Sequence, residues 1–155
     1  MASTTNLNWV VKDFTSLTIE ELYAVVRLRA AVFVLEQQCL YEDLDGKDQP
    51  SKHVMGFDRA NGTLAVYARI VPPGISFNEP SIGRVITAPE YRGRDLGFEL
   101  MKRSIALSHK MYPGQILRIG AQAHLQNFYG SLGFVPEGEI YDEDGIDHVE
   151  MVLLI

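Results

Sequence analysis

Cysteine is nearly absent. Cys39 is the only one in 155 residues, so no internal disulfide can form, and a reducing compartment, the cytoplasm, is expected. Long apolar runs are missing too. The longest, Ala30 to Leu35, has six residues, far short of the roughly 20 that a membrane-spanning helix requires. Nor is there any excess of positive charge. The formal net charge is −6, whereas nucleic-acid binding draws most of its affinity from basic groups on phosphates. Neither a nucleic acid nor a membrane is therefore expected as a partner. Met1 to Asn6 offer no basic start and no apolar stretch, so no secretory signal is read there. Low-complexity linkers and repeats of solenoid length are likewise lacking. What is there is an ordinary globular mixture, 46% hydrophobic and 22% charged. Its length suits one domain, residues 1–155, with the first six flexible.

Leu7 to Asp13 alternates as a first strand. Thr18-Ile19-Glu20-Glu21 has the form of a capping box and opens a helix with Leu22, Val25, Val26, Val32 and Phe33 on one stripe. Arg29 falls in line with that stripe, which places its charge either at an edge or toward a polar cleft. Tyr41 to Pro50 is an acidic loop. His53 to Arg59 and Thr63 to Val71 read as strands joined by a type I′ turn at Asn61-Gly62. Ser81 to Thr87 is a further strand, and a helix with Leu96, Leu100, Met101, Leu107 and Met111 follows, ended by Pro113-Gly114. Ile116 to Ile119 reads as a strand, His124 to Leu132 as a short helix closed by Gly133. Two strands, Gly138 to Tyr141 and His148 to Leu154, turn at Asp144-Gly145. The order predicts an α/β (α+β) domain with a mixed, mostly antiparallel sheet flanked by helices.

Between the strand ending at Thr87 and the next helix stands Arg92-Gly93-Arg94-Asp95-Leu96-Gly97. A helix N-terminus presents free amides and partial positive charge, glycines let backbone approach a ligand, and arginines add charge-assisted donors. That combination suits a diphosphate; the plainer alternative is a basic surface loop. A dinucleotide fingerprint and a Walker loop are both absent.

Ile82-Gly83-Arg84-Val85-Ile86-Thr87 with Pro89-Glu90-Tyr91-Arg92-Gly93-Arg94 resembles motif A of the GNAT acetyltransferases. The resemblance implies that backbone at Val85, Ile86 and Thr87 pairs with the pantetheine arm of acetyl-CoA. It also implies that Arg92, Gly93, Arg94, Asp95, Leu96 and Gly97 grip the diphosphate. Asp95 stands where the pattern has its first glycine. A carboxylate about 5 Å from a phosphate oxygen costs roughly 1–3 kcal/mol at surface-like dielectric. Asp also tolerates unusual backbone angles and caps helices well, so its side chain is expected to bond the helix amides and turn from the ligand.

Ala121 to Phe134, with its Tyr-x-x-x-Gly-Phe ending, is similar to GNAT motif B. The resemblance implies Tyr129 as the general acid that protonates the departing thiolate, and Gln122 and Asn127 as pantetheine contacts. Phe128, Tyr129 and Phe134 also fit the apolar face of a short helix, the alternative reading. Leu28 to Asp43 and Tyr141 to His148 resemble the ElaA-like branch of the family, a similarity that runs from about Asn8 to the C-terminus. It implies acceptor-side roles for Arg29, Phe33, Glu36, Gln37 and His148, with a small-molecule or peptide amine as acceptor. Glu36, His124 and His148 are each candidates for the base, and none is singled out.

Asp-x-Asp-Gly-x-Asp occurs at Asp43 to Asp48 and again at Asp142 to Asp147. Its glycine comes fourth, where a calcium loop has it sixth, so no metal is expected. These segments read as two solvated turns, or else as an acidic rim that attracts a cationic amine. Cys39 has no histidine partner in sequence and reads as a buried thiol. The activity that the resemblance implies is acetyl transfer to an amine in a ternary complex; the alternative is an acyl-CoA-binding or sensing module. A homodimer is compatible with an exposed edge strand or apolar patch.

Overall fold

Strand β1 (Leu7–Asp13) pairs with β2 (Lys52–Asp58), β2 with β3 (Leu64–Val71) and β3 with β4 (Ser81–Thr87) in the computed structural model, which describes residues 5–154. A second sheet gathers β5 (Leu117–Gln122), β6 (Val135–Pro136) and β7 (Tyr141–Glu143) around β8 (Ile146–Leu153). Every described pairing is antiparallel. The expected single mixed sheet is therefore two antiparallel sheets within one α+β domain. They meet where the Arg118 N–H donates to the Pro80 carbonyl at 3.1 Å. Strands β4 and β5 leave this point side by side in different sheets, and a gap opens between them.

Helix α1 (Ile19–Arg29) begins with the expected capping box. Glu21 N–H donates to Thr18 Oγ1 at 3.0 Å, and Thr18 N–H donates to Glu21 Oε1 at 2.8 Å. The chain then widens into a π-helix, Ala30–Glu36, which a 3.6-residue pattern does not reveal. Helix α2 (Leu96–Met111) buries Leu96, Leu100, Met101, Ser104 and Ser108. The main core lies between this face and strands β3, β5 and β8; Val25, Val32, Met55 and Tyr67 form a second cluster under α1. All eight residues of β3 are buried, as befits a strand covered on both faces.

The two turns differ from each other. Asp144 (φ +54°) and Gly145 (φ +83°) are both left-handed and join Glu143 to Ile146, a two-residue type I′ hairpin. At Asn61-Gly62 only Gly62 is left-handed, and Asp58 N–H donates to the Thr63 carbonyl at 2.8 Å across a four-residue loop. A register shift at Gly56/Phe57 and the Asp58 carboxylate, which accepts from Ala60 N–H at 2.9 Å, favour the longer turn.

Among the described residues no helix is long and apolar enough to cross a membrane. Flexibility was expected of the first six residues. Residues 1–4 lie outside the described part; Thr5 Oγ1 accepts from Arg94 at 2.9 Å, and the Asn6 carbonyl accepts from Arg59 N–H at 3.1 Å.

Candidate active site

Strand β4 is the outer strand of its sheet, so one row of its backbone groups lacks a ladder partner there. It also bulges: Tyr67 faces Ile86 and Arg69 faces Gly83, which sets Arg84 and Val85 together against Ala68. Arg84 takes a φ of +51°, held by ion pairs to Asp43 and Asp45 and by its stacking 5.0 Å from the Tyr41 ring. The open side of β4 carries two cavities, of about 810 Å³ and about 420 Å³. Phe33, Gln37, Val85, Gln122, Leu125, Tyr129 and Ile146 line both. These residues form the seam between them.

The larger cavity is bounded by Val85, Ile86, Thr87, Arg92, Gly93 and Gly97, with Glu36 from the π-helix opposite. Thr87, Arg92, Gly93, Asp95, Leu96 and Gly97 also line an adjoining groove of about 620 Å³ at the start of α2. The first helical bond there runs from Glu99 N–H to the Asp95 carbonyl at 3.2 Å, so the Leu96, Gly97 and Phe98 amides precede the ladder. Asp95 makes no side-chain cap bond, contrary to expectation. Its backbone is left-handed, φ +59° and ψ +18°, whereas a capping side chain reaches the amides from an extended residue. The same angle explains the glycine of the family pattern, since Asp is one of the few residues that tolerates it. Gly97 has a different reason: a Cβ there would lie 3.3 Å from Thr87 Oγ1, where helix and strand approach closely.

Two motif residues turn elsewhere. Arg94 bonds Thr5 Oγ1 and the Glu90 carbonyl and stacks 5.1 Å from the Tyr91 ring, outside the lining of either cavity. Asn127 is exposed on α3 (Gln126–Gly130) and lines neither. Arg92 faces the cavity with its guanidinium already engaged. It donates to Glu36 Oε2 at 2.9 Å, to Glu36 Oε1 at 2.6 Å and to the Thr87 carbonyl at 3.2 Å. That contact holds the Glu36 carboxyl below its usual range, which weakens it as a base.

Tyr129 is buried at the seam, edge-on to Phe128 and Phe134, the packing that the apolar-face reading of these aromatics expects. Burial alone pushes its pKa up to about 12, with no protein hydrogen bond or charge to offset it. Gln122 donates to Gln37 Oε1 at 3.1 Å across the seam. His148 lines the smaller cavity, its Nδ1–H donating to the Ile146 carbonyl at 2.8 Å and its Nε2 lying 3.3 Å from Glu143. His124 is exposed at the edge of the larger cavity. Cys39 is buried beside the smaller one, its thiol pKa raised by burial and by Asp144.

Arg29 is neither at an edge nor in the cleft. It is 1% exposed and donates to Asp43 Oδ2 at 3.0 Å and to Asp48 Oδ1 at 2.7 Å. Arg69 donates to the same Asp48 oxygen at 2.8 Å and to Asp45 Oδ2 at 2.7 Å; Arg84 donates to Asp43 Oδ1 at 2.9 Å. Three arginines and three aspartates thus close a cage of zero net charge behind the smaller cavity. The first acidic segment is therefore neither a solvated turn nor a free rim. Burial raises the Asp45 and Asp48 pKa values, but the guanidinium hydrogen bonds and charges outweigh it and hold both carboxyls low. The second segment stays exposed at the β7–β8 hairpin. Among the described residues no group of three or more His, Cys, Asp or Glu side chains is placed to hold a metal ion.

Sequence reading also missed Tyr141 and Gly120. A Cβ on Gly120 would sit 3.1 Å from the Tyr141 hydroxyl, and a lone glycine inside a strand was the signal for such an approach.

Comparison with known proteins matches this architecture. Residues 13–155 fit the acetyltransferase (GNAT) domain model. The chain is 41% identical over 147 residues to protein ElaA of Escherichia coli strain K12, covering 94% of this chain and 95% of that protein. A UPF0039 protein of Synechocystis sp. is 40% identical over 150 residues, 96% of each. The crystal structure of an acyl-CoA N-acyltransferase from Pseudomonas aeruginosa, 38% identical, aligns with a TM-score of 0.89 over 96% of this chain and 99% of that one. Acyl transfer from acyl-CoA is the general chemistry of this family. The chain belongs to the GNAT acetyltransferases, in their ElaA-like branch.

Proposed function

We propose that this chain transfers an acetyl group from acetyl-CoA to an amine by direct attack within a ternary complex. The observation that carries the reading is the seam: two cavities on either side of Tyr129, Val85 and Gln122 let donor and acceptor arrive from opposite sides.

On the donor side, the unladdered edge of β4 at Val85, Ile86 and Thr87 suits an extended amide-bearing arm. The amides opening α2, with Arg92, Gly93 and Gly97 around them, suit a diphosphate. Gln122 is placed for the arm between. On the acceptor side, Phe33, Gln37 and His148 contribute to the wall. The cage is neutral and Glu150 is held by Arg118, so the charges left to act there are Lys47 and the exposed Glu143 and Asp144. Their balance favours a cationic amine.

In the reaction the amine nitrogen attacks the thioester carbon, a C–N bond forms, and the C–S bond breaks with its electron pair on sulfur. Tyr129 donates its proton toward that sulfur and regains one, through water, from the new ammonium as the amide forms. A phenol near pKa 12 is uphill of an ordinary thiol by about 3.5 units, roughly 5 kcal/mol for complete transfer. Tyr129 therefore acts as a hydrogen-bond donor to the sulfur as charge builds, and full transfer is completed only as the ammonium's proton replaces its own. The same elevation keeps the phenol neutral across the working pH range.

The binding-only alternative rested on Asp95. A left-handed aspartate preserves the backbone that glycine would adopt, so that departure does not disfavour catalysis. Incubation with acetyl-CoA and a panel of amines, following free thiol, decides between them. Amine-dependent thiol release is expected. Calorimetric binding of acetyl-CoA with no release for any amine would leave a sensing module.

A further inference from the structure

Arg92 is the one arginine or lysine among the described residues that lines the larger cavity, and also the one that lines the adjoining groove. Any anion bound there depends on it for permanent positive charge. Yet both Nη atoms already hold the Glu36 carboxylate, at 2.9 and 2.6 Å. Arg94, the neighbouring cation, is committed to Thr5 and Glu90. A guanidinium fork fits a carboxylate and a phosphate in the same two-pronged way, so the two anions compete for one donor pair. The pair is also easily exchanged: side-chain exposure is 46% for Arg92 and 43% for Glu36, and exposed ion pairs are weakly held.

We infer that Glu36 is a stand-in anion for the donor: it holds Arg92 while the cavity is empty, yields it to the diphosphate of CoA, and takes it back as product CoA leaves. Glu36 is a positioning residue in this scheme, since it acts through Arg92 and touches no reacting atom. Its cost is weaker donor binding; its benefit is faster release of a product that binds through the same diphosphate. The inference rests on the donor reading of the larger cavity. It goes beyond that reading by giving a cavity-lining carboxylate a task other than that of base or acceptor contact.

Calorimetry with CoA, dephospho-CoA and pantetheine on the full chain tests it. Glu36→Gln keeps size and polarity but removes the competing charge. It should tighten CoA about fivefold, equivalent to about 1 kcal/mol, and lower the inhibition constant of product CoA in parallel. Dephospho-CoA, which keeps the diphosphate, should gain equally, and pantetheine, which lacks it, should not change. Glu36→Asp, with its carboxylate drawn back by one methylene, should gain less than Glu36→Gln. Equal or weaker CoA binding by Glu36→Gln would overturn the inference, since Glu36 would then be idle or would be presenting Arg92 to the phosphate. A gain for pantetheine, or none for dephospho-CoA, would also overturn it. Failure of the unaltered chain to bind CoA at all would remove the donor reading itself, and this inference with it.

Discussion

The two cavities have walls built on opposite lines. Behind the smaller one, three arginines meet aspartates in a largely buried cage, and Arg29 and Arg69 are only 1% and 3% exposed. Around the larger one, the single ion pair is half in water and the helix opening α2 leaves its first amides outside the ladder. Identical pairing chemistry thus does two jobs. Where both charges are desolvated, losing one partner strands the other, and the arrangement is locked. Where they are solvated, exchange with an incoming anion costs little.

The sharpest way to break this contrast is Asp48→Asn. Arg29 and Arg69 share that carboxylate, so its loss leaves two buried cations short of an acceptor charge. A destabilisation of about 3–5 kcal/mol is expected, lowering Tm by roughly 10 °C in calorimetry. A loss below about 1 kcal/mol would show that the cage is no more locked than the Glu36 pair. Acid provides the companion test. The folded-state pKa values of Asp45 and Asp48 lie below the unfolded value near 3.9, so their stabilisation is present above about pH 4 and drains away as pH falls through the folded values. Asp48→Asn should flatten that acid-side loss.

At the seam, Tyr129→Phe should lower kcat by roughly 100-fold while acetyl-CoA affinity stays unchanged, read by steady-state kinetics and calorimetry. Unchanged turnover would remove the hydroxyl from the chemistry and leave Tyr129 a packing residue. A smaller effect is expected from salt. With a cationic acceptor, kcat/KM should fall severalfold as ionic strength rises from low to about 0.5 M, because Glu143 and Asp144 are exposed. Independence of salt would argue that the hairpin acids are simply solvated. The least change is expected of Asp95→Gly. Relief of the left-handed angle should stabilise the fold by up to about 1 kcal/mol, with acetyl-CoA bound equally or more tightly. Weaker binding would make the Asp95 side chain a working part of the loop.

Features carried by neighbours in the chain were legible before any coordinates. The capping box at Thr18 and Glu21 and the turn at Asp144-Gly145 each need only three or four residues to declare themselves. The strand, loop and helix from Ser81 to Met111 declared themselves by periodicity and by a family pattern. Yet the pattern specified a backbone path without specifying side-chain direction, which is why Arg92 faces the cavity while Arg94 and Asn127 do not. The cage was illegible for another reason. Its arginines lie 14 to 41 residues from their aspartates, on separate elements, and no local spacing announces such partners. The π-helix was hidden because its wider turn breaks the period used to find helices. The Asn61-Gly62 loop went wrong because a bulge several residues upstream changed the register it had to close.

The β7–β8 hairpin has a consequence for how this protein can change. Its turn closes on its own two residues and is solvated, and Tyr141, Glu143 and Asp144 reach the smaller cavity alone, whereas Ile146 also lines the larger one. Substitutions at Tyr141, Glu143 and Asp144 touch neither the cage nor the opening of α2. Taste for different amines is thus free to drift along this flap, over evolution or in a laboratory selection, while the machinery that handles the thioester is inherited intact.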